Sequence, residues 1–182
     1  MAEQLVAERR SILQTRGFDA PGVSITLAEP ANRVSLRARA GDVDALNRAL
    51  SIGLPAKPKT SARENGLAAL WLGPDEWLLI GEGRDPLSEL RGTDALHSAV
   101  DVSHRNLGIV VSGPHAASAI SGGCPQDLSP EVFGVGACSR TLLGKVEMVL
   151  WKTGEDAFRV ECWRSFAPYV FSYLSMAARD AA

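Results

Sequence analysis

The sequence predicts an α+β fold made of two tandem ferredoxin-like β-α-β-β-α-β modules with antiparallel sheets. Three observations support this prediction. Each half opens with a strand and a short helix, each half then contains a hairpin with an acidic turn, and a further helix follows each hairpin. Hydrophobic residues make up 46% of the 182 residues and charged residues 22%, which is typical of a globular chain with a sizeable core.

The first 32 residues are predicted to form a short helix and a connecting arm. We expect the helix over residues 1–14 and the arm over residues 15–32, with a short strand at Val23–Leu27. The N-terminus is charged throughout and lacks the apolar core of a signal peptide, and no stretch of the chain approaches the ~20 apolar residues that cross a bilayer. We therefore expect a cytoplasmic protein with no membrane contact.

The first module is predicted over residues 33–103. Apolar and polar residues alternate from residue 33 to residue 40, which indicates a half-buried strand. Arg33, Arg37 and Arg39 share one face of this strand, and we expect that face to be solvated. The formal net charge of −2 and the lack of a larger basic cluster give no indication of nucleic-acid binding.

A helix and a hairpin follow this strand. Asp42 occupies the N-cap position of the helix, and residues 73–76 form the tight turn of the hairpin. Asp75 and Glu76 are paired carboxylates in that turn. We expect both to be solvated, with pKa values that have no reason to move.

A weak helix and a strand complete the first module. The helix is predicted at residues 86–91, and His97 lies in the weakly helical segment after it. The closing strand is predicted at Val100–Ser103, where the sequence reads VDVS.

The second module is predicted over residues 104–182 and repeats the plan of the first. A continuous apolar run at Leu107–Ser112 is typical of a strand covered on both faces, and Pro114 stands at the start of the helix that follows. A hairpin comes next, and Ser165 can cap the last helix. The two modules form one compact domain.

The two hairpins can be laid over each other. Trp71 ends the first arm of one hairpin and Trp151 the first arm of the other. An acidic turn follows in each case, and then an aromatic residue, Trp77 or Phe158. This similarity is what indicates a repeated module.

The sequence predicts no catalytic site and no metal site. A nucleophile needs a base beside it and a group that orients the base. His97 and His115 have the character of surface residues, and the three cysteines have no CxxC spacing, which favours free thiols over disulfides or zinc. These cysteines are Cys124, Cys138 and Cys162.

Four residues are candidates for contact with a partner protein. His104 and Arg105 lie in the sequence DVSHR at the junction of the modules, where a structural or partner role is favoured over catalysis. Trp163 follows the alternating Phe158–Cys162 segment on the opposite face, next to Arg164. An exposed Trp–Arg pair has the composition of a protein–protein hot spot.

Five motifs in fixed order carry a resemblance to a known family. These motifs are GPDEW, DVSHR, CPQDL, the hairpin from GKV to GEDAF, and RSFA. Together they make residues 33–178 very similar to the gamma subunits of bacterial heterotetrameric sarcosine oxidases. The resemblance implies a fold like the folate-binding domain of aminomethyltransferases.

The resemblance also implies a partner role for this chain. Enzymes of that family demethylate sarcosine oxidatively to glycine, produce hydrogen peroxide and pass the one-carbon unit to tetrahydrofolate. The resemblance implies alpha, beta and delta subunits as partners. FAD, FMN, NAD and tetrahydrofolate are implied for the large partner subunits, and no cofactor or active site is implied for this chain.

Asp127, in the sequence CPQDL, has two possible roles. Spacing alone favours a cap for the following turn over a hydrogen bond to a ligand amine. Aminomethyltransferases place a functional aspartate near this position in an Asn-Asp pair, but here Gln126 precedes the aspartate. Asp127 is therefore interpreted as a relict of a folate site that now serves as a cap.

Two other functions stay open at this stage. One is a free-standing folate-binding or aminomethyltransferase-like protein, which would need a pocket with converging polar groups. The other is a homodimer of ferredoxin-like modules that binds a small molecule or regulates another protein.

Overall fold

The computed structural model describes residues 12–13 and 17–181, and within them the chain forms eleven strands and four α-helices. In chain order these elements are β1 Phe18–Ala20, β2 Val23–Leu27, β3 Asn32–Ala38, α1 Val43–Leu50, β4 Ser61–Glu64, β5 Leu67–Gly73, β6 Glu76–Gly81, α2 Pro86–Leu90, β7 His97–Asp101, β8 Asn106–Ser112, α3 Ala116–Ser121, β9 Cys138–Leu143, β10 Val146–Gly154, β11 Ala157–Trp163 and α4 Ala167–Asp180. The predicted helix over residues 1–14 lies outside the described residues, apart from Ile12 and Leu13.

The first sheet has five antiparallel strands in the order β4-β5-β6-β3-β7. Four of these strands, together with α1 and α2, follow one another as β3-α1-β5-β6-α2-β7. This is the ferredoxin-like arrangement that the sequence predicts. The remaining strand, β4, extends one edge of the sheet.

The second sheet has six antiparallel strands in the order β1-β2-β8-β11-β10-β9. In a ferredoxin-like module, the last strand pairs with the first. In the second module the place beside β8 is taken by β2, although β2 precedes the first module in the chain. Ile25 pairs with Val111 and Leu27 with Ile109. The strand predicted at Val23–Leu27 is therefore present, and it belongs to the second sheet.

These pairings confirm the α+β fold with two antiparallel sheets. The division of the chain at residues 32/33 and 103/104 stays a prediction.

The two sheets pack face to face, and helices cover their outer faces. Helices α1 and α2 close the core of the five-stranded sheet, and α3 and α4 close that of the six-stranded sheet. A third apolar cluster lies between the sheets and includes Leu70, Ile80, Val149 and Trp151. The central strands are therefore covered on both faces, and polar groups on their inner faces must find partners within the protein.

Backbone turns begin α1 and α4 where the sequence predicts side-chain caps. A 3₁₀ turn at Ala40–Asp42 leads directly into α1, and the Arg39 carbonyl accepts the Asp42 N–H at 3.0 Å. The Asp42 carboxylate instead accepts the Leu96 N–H at 2.9 Å. A second 3₁₀ turn leads into α4, so Ser165 does not cap that helix either.

Strand β7 begins three residues earlier than predicted. His97 is its first residue and pairs with Ala38, so the prediction of a helical segment at His97 is wrong. Pairing with β3 extends β7 over residues whose local pattern is weak, because sheet contacts override local propensity. The strand ends at Asp101, opposite Val34.

The two hairpins match at their turns, but their tryptophans are offset by one residue. Trp71 pairs with Trp77 in the first hairpin, whereas Lys152 pairs with Phe158 in the second. Trp77 and Phe158 are therefore equivalent, as predicted. Trp151 lies one position further from the turn than Trp71, and it faces the layer between the sheets.

Candidate functional site at the junction of the two sheets

The three cysteines are buried and free, and His97 and His115 lie at the start of β7 and of α3. Burial raises the pKa of the Cys138 thiol to about 11, and burial raises that of Cys162 to about 12, so both are thiols at neutral pH. His97 Nδ1 lies 2.7 Å from the Ala95 carbonyl, and His115 is exposed at the start of α3. Over residues 12–13 and 17–181, no three His, Cys, Asp or Glu side chains are grouped to hold a metal ion.

Asp127 is exposed in the loop after α3, and its carboxylate closes a local turn. Its Oδ1 accepts the Ser129 N–H at 2.9 Å. The hydrogen bonds from Ser129 lower the pKa of the carboxyl, and the charge of Lys59 lowers it further. This geometry is that of the cap that sequence spacing favours.

The four candidate partner-contact residues come together at the junction of the two sheets. The Arg105 guanidinium lies over the Trp163 ring, 5.2 Å from its centroid, and the Arg164 N–H donates to the Arg105 carbonyl at 2.6 Å. Trp163 is also stacked on Phe166, with ring centroids 5.9 Å apart. Both rings are more than 40% exposed, so the cluster presents an aromatic surface beside a cation.

A cavity of about 590 Å³ adjoins this cluster. Its wall is formed mainly by the two segments in which the chain crosses between the sheets, residues 27–33 and 103–108. His104 and Arg164 line it. A second, much smaller crevice between the sheets is lined by Arg105 and Trp163. Residues of the cluster therefore line both openings.

A buried network of ion pairs connects the two sheets at this junction. Arg33 donates through Nε to Glu161 Oε2 at 2.6 Å and through Nη2 to Oε1 at 3.0 Å. Arg159 Nε donates to Glu161 Oε1 at 2.8 Å. All three residues are at most 5% exposed. The expectation that Arg33 is solvated is wrong, because the second sheet covers that face of β3.

The network continues to the surface of the first module. Arg159 Nη1 donates to Glu82 Oε1 at 2.7 Å, and Arg63 Nη2 donates to Glu82 Oε2 at 3.0 Å. Positive and negative side chains thus alternate from β3 to β4 through the second sheet. Sequence reasoning did not find this network, although charged residues within the apolar run of β11 were a signal for it.

Gly108 gives the central ion pair the space that it needs. A side-chain carbon at this position would lie 2.7 Å from Glu161 Oε1, 2.9 Å from the Ala28 side chain and 3.1 Å from Arg33 Nη2. The bare backbone of β8 therefore allows Arg33 and Glu161 to meet between the sheets.

A second group of ion pairs joins the sheets nearer the solvent. Glu76 binds both Arg37, at 3.3 Å, and Arg140 of the second sheet. Burial acts to raise the pKa of Glu76, but the hydrogen bonds and charges of the two arginines outweigh it and lower the pKa. The expectation that the Glu76 pKa stays unmoved is wrong.

The lowered pKa of Glu76 predicts a pH-dependent contribution to stability. The contribution is fully present above the ordinary carboxyl pKa of about 4.3 and is lost as the pH falls through the lower value in the folded state. Glu76→Gln should therefore reduce the free energy of unfolding by roughly 1 kcal/mol at pH 7 and by much less at pH 3. Urea unfolding of both proteins at each pH measures this difference. A difference that does not change with pH would contradict the prediction.

No helix in the described part of the chain is long and apolar enough to span a bilayer.

Known proteins are similar to this chain over most of its length. The gamma subunit of sarcosine oxidase from Corynebacterium sp. (strain U-96) is 35% identical over 159 residues, covering 83% of this chain and 78% of the relative. The gamma subunit from Corynebacterium sp. (strain P-1) is 33% identical over 174 residues, covering 92% of this chain and 86% of the relative.

Solved structures give the same result for the fold. A chain of the heterotetrameric sarcosine oxidase from Corynebacterium sp. U-96, in complex with pyrrole 2-carboxylate, has a TM-score of 0.88 and 30% identity, covering 95% of this chain and 96% of that chain. The glycine cleavage system aminomethyltransferase T from Bartonella henselae has a TM-score of 0.59 and 12% identity, covering 87% of this chain and 49% of that chain. The second likeness concerns the fold alone.

The family model described as "Sarcosine oxidase, gamma subunit family" matches residues 37–180. This match covers β4 to β11, which contribute to both sheets, and includes the junction cluster, Glu161 and Gly108. With the two curated relatives, it shows that the chain belongs to the sarcosine oxidase gamma subunit family.

Proposed function

We propose that this chain is a non-catalytic gamma subunit of a heterotetrameric sarcosine oxidase, with alpha, beta and delta subunits as its partners. The observation that carries the proposal is the similarity, over 95% of this chain, to a chain of a heterotetrameric sarcosine oxidase. The geometry of the described residues is consistent with this role. Glu76 and Glu161 are engaged in ion pairs between the sheets, and Asp127 closes a turn.

The assembled enzyme in this proposal demethylates sarcosine oxidatively to glycine, produces hydrogen peroxide and transfers the one-carbon unit to tetrahydrofolate. FAD, FMN, NAD and tetrahydrofolate bind to the large partner subunits, and the complex is cytoplasmic. This chain contributes contacts and no reacting group.

Co-expression with the three partner subunits tests the proposal. We expect the four chains to elute together from a size-exclusion column and the complex to release hydrogen peroxide from sarcosine. The isolated chain should do neither. Elution of the chain apart from its partners, or turnover of sarcosine by the chain alone, would contradict the proposal.

A titration of the isolated chain with tetrahydrofolate distinguishes the proposed subunit from a free-standing folate-binding protein. We expect no saturable binding to the isolated chain, measured by calorimetry. Saturable binding that Asp127→Ala abolishes would support the folate-binding alternative instead. A stable homodimer that forms in place of the mixed complex would support the third function, a regulatory homodimer.

The partner-contact residues in this proposal are His104, Arg105, Trp163 and Arg164. Trp163→Ala should weaken binding to the partner subunits about tenfold, because it removes a large exposed ring and the surface on which Arg105 lies. The thermal midpoint of the isolated chain should change little, since the ring lies outside the cores. Surface-immobilised partner subunits allow the dissociation constant to be measured. An unchanged dissociation constant would show that Trp163 does not lie in the interface.

A further inference from the structure

Helix α4 and the residue before it carry a stripe of large side chains on the solvent side. Phe166, Tyr169, Tyr173 and Met176 are spaced by three or four residues, which places them on one side of the helix. Three of them are 40–55% exposed, and Tyr173 is half-buried. We call these four residues the α4 stripe. The other side of α4 is buried in the core of the six-stranded sheet.

The solvent side of α4 carries no charge over most of its length. Residues 165–178 include no Asp, Glu, Lys, Arg or His. A helix with one side in water normally carries charged residues on that side. Protein interfaces are instead rich in aromatic residues and Met and poor in Lys, Glu and Asp. The composition of α4 is therefore that of a helix covered by another protein.

The tyrosines of the α4 stripe are held in place before any partner binds. The Tyr173 hydroxyl donates to the Gly122 carbonyl at 3.0 Å, and its ring lies so close to Gly123 that a side-chain carbon there would be 2.5 Å from it. The Tyr169 hydroxyl lies against Gly144, and the two tyrosine rings are 5.9 Å apart. Fixed side chains lose little conformational entropy on binding, which favours their use as contact residues.

The charges at the two ends of the α4 stripe differ. At the Phe166 end, Arg105 lies over Trp163, which is itself stacked on Phe166. At the other end, Arg179 is followed directly by Asp180, so positive and negative charges are adjacent. Glu147 lines the same crevice as Arg105, but the guanidinium over Trp163 is the charge nearest Phe166, so complementarity favours an acidic residue on the partner opposite Arg105.

We propose that the α4 stripe is the surface through which this chain binds another subunit of the heterotetramer. The matching surface on that subunit is apolar opposite Tyr169 and Met176 and acidic opposite Arg105. The inference rests on the proposed function and deepens it, because it extends the contact from the junction cluster along α4.

Charge substitutions in the α4 stripe test the inference in the co-expressed complex. Tyr169→Glu and Met176→Glu place a carboxylate in an apolar contact and should weaken association with the partner subunits at least tenfold. Val135→Glu is the matched control, because Val135 is 61% exposed but lies in the loop before β9. It should co-elute with the partners as the unsubstituted chain does. Circular dichroism should agree among all four chains, and the thermal midpoint of Met176→Glu should equal that of the unsubstituted chain, because Met176 is 55% exposed.

The outcomes separate this inference from the proposed function. If the unsubstituted chain and both stripe variants co-elute with the partners, the inference is wrong and the proposed function stands. If the unsubstituted chain does not bind the partners, the proposed function itself fails. If the isolated chain forms a dimer that Tyr169→Glu dissociates, the stripe binds a second copy of this chain and the inference is overturned.

Discussion

Glu161→Ala should lower the free energy of unfolding by about 3–5 kcal/mol, because it leaves two guanidinium groups buried without their shared carboxylate. Arg33 and Arg159 are both at most 5% exposed, and Glu161 accepts three hydrogen bonds from them. Urea unfolding, with the slope against urea concentration compared between variants, measures the loss.

An exposed ion pair provides the control for this prediction. Arg37→Ala removes a partner of Glu76 at the solvent edge of the sheet and should cost less than about 1 kcal/mol. If Glu161→Ala costs no more than Arg37→Ala, the buried network does not hold the sheets together.

Gly108→Ala should destabilise the fold by about 2 kcal/mol, although it adds a single methyl group. The new carbon would overlap Glu161 Oε1 and the Ala28 side chain and would crowd Arg33 Nη2. To remove this overlap, either Glu161 must move away from Arg33 or β8 must move away from the five-stranded sheet. Either movement lengthens a buried, charge-assisted hydrogen bond.

Gly92→Ala is the matched control, because no atom lies within 4 Å of a side-chain carbon at that position. It should leave stability unchanged or raise it by about 0.4–1 kcal/mol through the unfolded state. Thermal and urea unfolding of both variants give the comparison. Equal stability of the Gly108→Ala and Gly92→Ala proteins would show that the junction tolerates the added volume.

The sequence pattern predicted the elements of the fold better than their surroundings. Alternation in β11 correctly indicated that Phe158, Val160 and Cys162 face one core. It could not show that Arg159 and Glu161 are buried as well, because a period of two assigns residues to a face without stating what covers it. Only the pairing of two complete sheets places protein over that second face.

For the candidate site, too, the local sequence pattern did not show which distant residues come into contact. Arg105 and Trp163 were predicted as separate candidates for partner contact, and the structure places the Arg105 guanidinium over the Trp163 ring. Their contact with a partner stays a prediction. Glu76 was misjudged because its second partner, Arg140, lies 64 positions further along the chain. Contacts at such separations depend on how the two sheets face each other, which no local pattern contains.

The position of β2 gives the second half of the molecule the connectivity of a circular permutant. The strand that completes the six-stranded sheet comes from the start of the chain, and Arg179, near the end of α4, lies over the Phe18 ring at 5.1 Å. During synthesis on the ribosome, β1 and β2 emerge before β8. The strand β2 therefore has no pairing partner until the residues of the five-stranded sheet have been synthesised. The contact between Phe18 and Arg179 therefore brings together the earliest and the latest parts of the described polypeptide.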